Sequence, residues 1–532
     1  MWLGILALLF AWGILTFLIF DSEWNMVSRS TDYLRRTQAE LSYWWTYTLP
    51  GSEGDFLPRI RMMFAGLSSY TFSSDQRVAA EGEAASIPVL LYHGTPPEGN
   101  DNPPLPLSVF REHLYALKEA EWHTVTLDEL YKFLKEGAPL PDKSFLLTFD
   151  DGRRESFYPT DPILKELGFT AVMFVITGSS LPEQGKPSPF YLTKTELQYM
   201  LDTGRWEFGS HTNQGHEWYP VSLATEGTSA QETTLGHFLS NKFWIPEEER
   251  FETDDEFKER VYNDLLMAKR KLEEQYGKPM LAFAFPFSDF GQNTVNFPGA
   301  EDILEEVVPK LHQLAFYQTW EGNGDTYNYP DKDVFFVKRI EPTADWSGEK
   351  LLSMLHGGQA KKLPYDEQNF GDAWMGTWGE MSSDKTLTIS AAPQTTGGEA
   401  MLNGSYLWRN YYFESTLNWT RGSDIILIAR HYNNDNYFAC AFSNKRVAVQ
   451  AYENGERNVL ASVPFTPASK NDLTVGMAVS GNTATCYGNG EALASASSDN
   501  PRLVRGGIGI QIWDARLDVG ELVVKEVHAK AL

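Results

Sequence analysis

The chain has 532 residues and a formal net charge of −26, from 45 Lys and Arg against 71 Asp and Glu. That length exceeds one ordinary hydrophobic core, so several domains are expected, and 42% hydrophobic with 22% charged residues is globular composition rather than disorder. The acidic balance argues against a nucleic-acid partner, and two cysteines exclude a disulfide scaffold or a cysteine-rich zinc site.

The first predicted element is apolar. Trp2 to Phe20 carries no charge, and at about 1.5 Å per residue it reaches roughly 28 Å, close to a bilayer core. The run ends in Leu18-Ile19-Phe20-Asp21-Ser22-Glu23, without a small-x-small cleavage site. Residues 1–20 are therefore expected to be an uncleaved transmembrane signal anchor. Arg29, Arg35 and Arg36 follow the span and pull against an outward body, so orientation must come from function. Residues 21–85 read as a stalk and linker, with a breaker at Pro50-Gly51-Ser52 and a small, polar stretch over 73–85.

From residue 86 to 358 the texture is α/β. Pro88 to His93, Ser144 to Phe149 and Ala171 to Ile176 are short buried strands, and capped helical patterns lie between them at Leu107 to Ala120 and Leu127 to Lys135. The alternation predicts parallel strands in a barrel or doubly wound sheet. Trp218 to Phe251 interrupts it, and Asp254 to Tyr276 is a charged amphipathic helix. Residues 359–374 read as a linker. Over 375–532 strands recur between Asn, Gly and Asp turns, the pattern of an all-β sandwich.

Two clusters carry chemistry. Asp150-Asp151 directly follows a buried strand, where α/β folds place active sites, although Asp-Gly is also ordinary turn chemistry. His211 and His216, at the end of Trp206-Glu207-Phe208, are five apart, so a loop has to converge them. Two imidazoles and one carboxylate make a three-ligand site with an open position for water; the alternative is a pair of unrelated surface histidines.

Together these motifs resemble those of the NodB-homology polysaccharide deacetylases (carbohydrate esterase family four). Thr148-Phe149-Asp150-Asp151-Gly152 is similar to the first signature, and Ser210-His211-Thr212 with His216 to the second. The five-residue histidine spacing, the opening Pro88-Val89-Leu90-Leu91-Tyr92-His93-Gly94 and the run Phe283 to Gly291 resemble most the branch that de-N-acetylates biofilm poly-N-acetylglucosamine. The resemblance covers residues 86 to 356 and implies a distorted (β/α) barrel. It implies that Asp151, His211 and His216 bind a divalent metal, zinc by family habit. Asp150 would be the general base and His93 the general acid. Pro286 and Phe287 would line the acetyl pocket, and Arg339 would orient a catalytic carboxylate. Asp345 and Trp346 would lie in the late-motif region of the substrate pocket. The Arg-Pro-Pro-Tyr-Gly form of the third motif is absent, and His356 in Leu352-Ser353-Met354-Leu355-His356 competes with His93 for the acid role.

Residues 375–532 resemble concanavalin-like or laminin-G-like jelly rolls. Trp408, Tyr432 and Trp513 are candidate sugar-stacking residues, with a spacer or protein-docking sandwich as the alternative. Cys440 and Cys486 fall on predicted strands, where a disulfide and two buried thiols fit equally. The expectation is a membrane-anchored, extracytoplasmic, metal-dependent deacetylase of an N-acetylhexosamine polymer. Rivals are a peptidoglycan, chitin-oligomer or O-acetyl glycan deacetylase and a catalytically silent polysaccharide-binding protein. Oligomeric state is left open.

Overall fold

The computed structural model describes residues 83–95, 105–184, 190–221, 234–319, 326–368, 370–371 and 373–532. The anchor expected over 1–20 lies outside them, as does the stalk up to residue 82. No helix among the described residues is long and apolar enough to cross a membrane.

Short uncharged runs become the strands of the first unit. These are β1 (Val89–Tyr92), β2 (Ser144–Phe149), β3 (Ala171–Val175), β4 (Trp206–Ser210), β5 (Ala282–Ala284), β6 (Leu314–Thr319) and β7 (Phe336–Ile340). Each pairs in parallel with the next in chain order, and β7 returns to β1 through Ile340 and Leu90. Among the described residues the eight-stranded sheet is thus a closed barrel of seven strands, with the short His123–Thr124 strand appended to the start of β2.

Side chains alternate along each strand. Val89, Leu146, Val172, Phe174, Ala284, Phe316 and Val337 fill the barrel interior. Leu90, Leu147, Phe149, Met173 and Phe208 face outward to the covering helices, which explains why β1, β2 and β3 are buried on both faces. The Leu127–Glu136 helix plugs the amino-terminal end. It starts at a Thr126–Glu129 capping box, stops at Gly137 in the left-handed region, and sends Leu130, Phe133 and Leu134 into the interior cluster. The carboxyl ends of the strands are left for the site.

The interruption after β4 holds two hairpins, Trp218–Pro220 with Leu235–His237 and Trp244–Ile245 with Arg250–Phe251, then the Asp254–Tyr276 helix. Arg260 of that helix ties them together. Its guanidinium donates to Glu252 at 2.7 and 2.9 Å and to the carbonyls of Phe238 and Asn241, and it lies 3.8 Å from the centroid of Phe243.

The C-terminal region is all β: an eight-stranded and a seven-stranded antiparallel sheet share one apolar core. Tyr365–Glu367, inside the stretch expected to be a linker, pairs with the Glu521–Ala531 strand. Three residues show no alternation of their own; only their partner makes them a strand. Trp408 is also a correction. It is buried, and its indole N–H donates to the Lys361 carbonyl at 2.8 Å, so it is a core residue and not a stacking surface. Tyr432 and Trp513 are partly exposed.

Cys440 of the seven-stranded sheet and Cys486 of the eight-stranded sheet form a disulfide between the sheets. They are 46 residues apart. Chain entropy predicts that replacing both by alanine lowers the stability of this region by about 4 kcal/mol. An earlier denaturant midpoint for the β-domain transition, with the barrel transition unmoved, is the expected readout.

Candidate functional site

The inward alternation continues past the strand ends and assembles the site. Leu146 and Thr148 are followed by Asp150, Val89 and Leu91 by His93, Gly209 by His211, and Val337 by Arg339 and then Glu341. A residue pointing inward above the last barrel layer faces a common mouth. Arg339 rises through it, buried, with its guanidinium 5.4 Å from the Phe174 centroid. It donates to both oxygens of Asp150, at 2.7 and 2.8 Å. Burial opposes charge on Asp150, but the Arg339 guanidinium outweighs it and holds the carboxyl below its ordinary range.

Asp151 is turned away from Asp150 by its own backbone, at φ 74°, with Gly152 also at 74°. It faces His216 Nε2 at 3.1 Å and His211 Nε2 at 3.5 Å, and Arg153 Nη2 lies 2.5 Å from its other oxygen. Ligand atoms of Asp151, His211 and His216 all lie within 4.8 Å of one another. His211 Nδ1 is 2.8 Å from the Ala284 carbonyl, which can only accept. Nδ1 therefore carries a proton, and Nε2 is the ring nitrogen turned toward the Asp151 carboxylate. Both Asp151 oxygens are buried without a formed hydrogen bond. One carboxylate oxygen and two imidazole nitrogens converging on a point make a donor set that fits a divalent metal. Burial raises the Asp151 pKa, yet the flanking histidines and Arg153 hold it well below the carboxylate range.

His93 Nδ1 is 2.6 Å from Glu341 Oε1, and Gln318 Nε2 donates to the other Glu341 oxygen at 2.5 Å. Burial disfavours the imidazolium, but the Glu341 hydrogen bond and charge, with Asp150 and Asp151 behind, raise the His93 pKa. His356 is exposed in the last turn of the Gly348–Gly358 helix, away from this mouth. Pro286 is buried after β5, and Phe287 sits at φ 57°, its ring 4.5 Å from that of His216.

Asp345 and Trp346 do not join the site. Asp345 is exposed and accepts from Thr343 Oγ1 at 2.5 Å. Trp346 is buried in the packing outside the barrel, where its carbonyl meets His113 Nε2 at 2.8 Å. They lie beyond Glu341, where the chain has already turned outward.

Sequence reasoning missed Glu341, Gln318, Arg153 and Asp264. Asp264 carries the loop between the histidines: its carboxylate accepts from the backbone N–H of Asn213 at 3.0 Å and of Gln214 at 2.7 Å. It helps to hold Thr212, a β-branched residue at φ 70°. The signal was present. Phe257, Val261, Leu265, Ala268 and Leu272 form the buried stripe of the Asp254–Tyr276 helix, and Asp264 is a carboxylate on that face.

A parallel barrel with an Asp-His-His cluster and a second, cation-held carboxylate at its carboxyl-terminal mouth has the form of a metal-assisted hydrolase. Residues 137–298 match the polysaccharide deacetylase family. The chain thus carries a NodB-type polysaccharide deacetylase domain. It is similar to the poly-β-1,6-N-acetyl-D-glucosamine N-deacetylase of Staphylococcus aureus strain MRSA252, at 33% identity over 109 residues. That match spans 20% of this chain and 37% of the relative's length. Among solved structures, a de-N-acetylase from Aggregatibacter actinomycetemcomitans aligns at 17% identity and TM-score 0.41, covering 50% of this chain and 98% of that one. IcaB from Ammonifex degensii aligns at 22% identity and TM-score 0.36, covering 52% and 97%.

Removing the Asp264 carboxylate leaves two backbone donors of the histidine loop unpaired. Asp264→Ala is expected to weaken divalent-metal binding about 10–100-fold, the usual cost of losing an outer-shell support. Competition against a chelator of known affinity measures it; unchanged affinity would mean the loop holds itself.

Proposed function

We propose that the protein is a metal-dependent hydrolase that removes N-acetyl groups from an N-acetylhexosamine polysaccharide outside the cytoplasm. One observation carries the reading: a cation-ready Asp-His-His cluster lies between a carboxylate gripped by Arg339 and an imidazole whose pKa is raised by Glu341. The name of the staphylococcal relative supports poly-β-1,6-N-acetylglucosamine as the polymer.

A divalent ion, zinc by preference for this donor set, held by Asp151, His211 and His216 would polarise the acetamide carbonyl and acidify a water. Asp150 accepts the proton of the attacking water; the grip of Arg339 on both its oxygens fixes its direction and keeps it charged. His93 delivers a proton to the departing amine, oriented through Nδ1 by Glu341. Pro286 and Phe287 shape the wall on the acetyl side, where Phe287 already packs on His216.

The charge-free run over 2–20 supports a membrane anchor with the catalytic domain outside, and the Cys440–Cys486 disulfide suits an oxidising compartment. The two-sheet region reads as a concanavalin-like jelly roll, with Tyr432 and Trp513 as its remaining candidate sugar contacts.

Asp151→Ala and His211→Ala should lose bound metal and acetate release together, while Asp150→Asn keeps the metal and loses about 10²–10⁴-fold in turnover. Metal analysis beside acetate release from acetylated glucosamine oligomers separates the roles, and near-parent turnover by Asp150→Asn would remove it as the base. The pH profile adds a signed test. Asp150 sets the acid limb below the usual carboxylate range, and His93 sets the alkaline limb above that of an ordinary histidine. Glu341→Gln withdraws the charge that stabilises the imidazolium, so the alkaline limb should move to lower pH with the acid limb in place. An unmoved alkaline limb would take the acid role from His93.

A further inference from the structure

Next to the candidate metal cluster, the insertion after β4 extends the Phe287 wall with two rings, Trp218 and His237, that the chemistry above does not use. Trp218 is 55% exposed, an unusual state for an indole in a domain with a full core. Its ring is 4.2 Å from that of His237, directly across the hairpin, and 5.6 Å from Phe287. Phe287 in turn is 4.5 Å from His216. The exposed indole therefore continues a surface that begins at a candidate metal ligand.

The wall is braced from behind. His237 stacks on Phe287 at 4.4 Å and 14°. Its Nδ1 is 2.5 Å from Asp289 Oδ2, and its Nε2 is buried without a hydrogen-bond partner. Stacking on Phe287 and the Asp289 contact hold the imidazole in place. Asp289 is itself buried and fixed, its Oδ1 accepting from the backbone N–H of Gly291 at 3.0 Å and of Asn293 at 3.3 Å. Phe287 and Ser288 hold φ of 57° and 54°, a cost this packing offsets.

We propose that Trp218 is the stacking platform for a pyranose ring adjoining the acetylated sugar in the mouth, with Phe287, His237 and Asp289 as its rigid backing. A pyranose presents an apolar C–H face inside a rim of hydroxyls. A flat indole that is already held by its neighbours meets that face with little ordering entropy to lose. The platform belongs to the insertion, so it selects for a polymer over a small acetyl compound. The inference rests on the glycan-deacetylase reading for the identity of the ligand.

Calorimetric binding of an acetylated β-1,6-glucosamine pentamer to the full-length chain, beside steady-state acetate release, tests it. Trp218→Leu keeps apolar bulk but removes the flat ring; Trp218→Phe keeps a ring. Trp218→Leu should weaken binding about tenfold, the order expected when one face of apolar contact is withdrawn. KM should rise by a similar factor with kcat little changed, and Trp218→Phe should recover most of the loss. Parent-like affinity and KM in Trp218→Leu, while the parent releases acetate, overturn the platform and leave the deacetylase standing. A parent that binds through Trp218 but releases no acetate with metal present supports the platform and overturns the deacetylase. No binding by the parent overturns the platform.

Discussion

The site depends on one buried ion pair. Arg339 brings a full charge into the upper barrel, where an unpaired guanidinium could not be tolerated, and breaking such a pair costs roughly 3–5 kcal/mol. Asp150 answers it with both oxygens. The pair also consumes space. A side chain at Gly209 would come within 2.3 Å of Phe174, the ring over which the guanidinium lies, so β4 has to pass that point as glycine. Packing, register and charge thus converge on one carboxylate and leave it a single orientation.

Two adjacent acids in a buried mouth would ordinarily share a proton. Here each has its own cation. Arg339 serves Asp150, Arg153 serves Asp151, and a backbone at positive φ turns the two carboxylates apart. Both pKa values are lowered, and in the proposed reaction one carboxylate would ligate while the other handles a proton. The same separation holds across the mouth. Glu341 raises the His93 pKa, whereas the Ala284 carbonyl takes Nδ1 of His211 and leaves its Nε2 toward Asp151. In the proposed reaction, ordinary hydrogen-bond partners would make a proton donor of one histidine and a ligand of another.

Much of this was legible in the chain, because local features carried it. Asp150-Asp151-Gly152 after a fully buried strand and the His211/His216 pair after another are short-range patterns; the strand–helix alternation gave parallel strands, and the family resemblance chose a barrel over a doubly wound sheet. What was hidden depends on contacts distant in sequence. Glu341 and Gln318 stood two residues past recognisable inward positions, so extending the strand parity by one step would have reached them. Asp264 was visible as a carboxylate on an apolar stripe, but its target, 50 residues away, was not. Trp408 was misread because an aromatic beside polar neighbours looks the same whether its indole meets a sugar or a backbone carbonyl. Tyr365–Glu367 is a strand only by virtue of the C-terminal strand it pairs with, and Asp345 and Trp346 were placed by motif position where the chain had already left the mouth.

The insertion after β4 changes how the barrel's chemistry is supported. The barrel alone delivers Asp150, Asp151, Arg339, His93 and Glu341 from strand ends, but both candidate histidine ligands lie where the insertion presses. Its long helix supplies Asp264 to the backbone between them, and its first hairpin supplies His237 to the ring that packs on His216. The same piece of chain therefore touches the metal cluster from two sides and carries the exposed Trp218 at the rim. A change in the insertion that re-aimed the wall would also strain the histidine loop. Metal affinity and glycan recognition are for that reason expected to vary together when a change in the insertion displaces His237 and the Phe287 ring stacked on it, and separately when only the exposed Trp218 ring is altered.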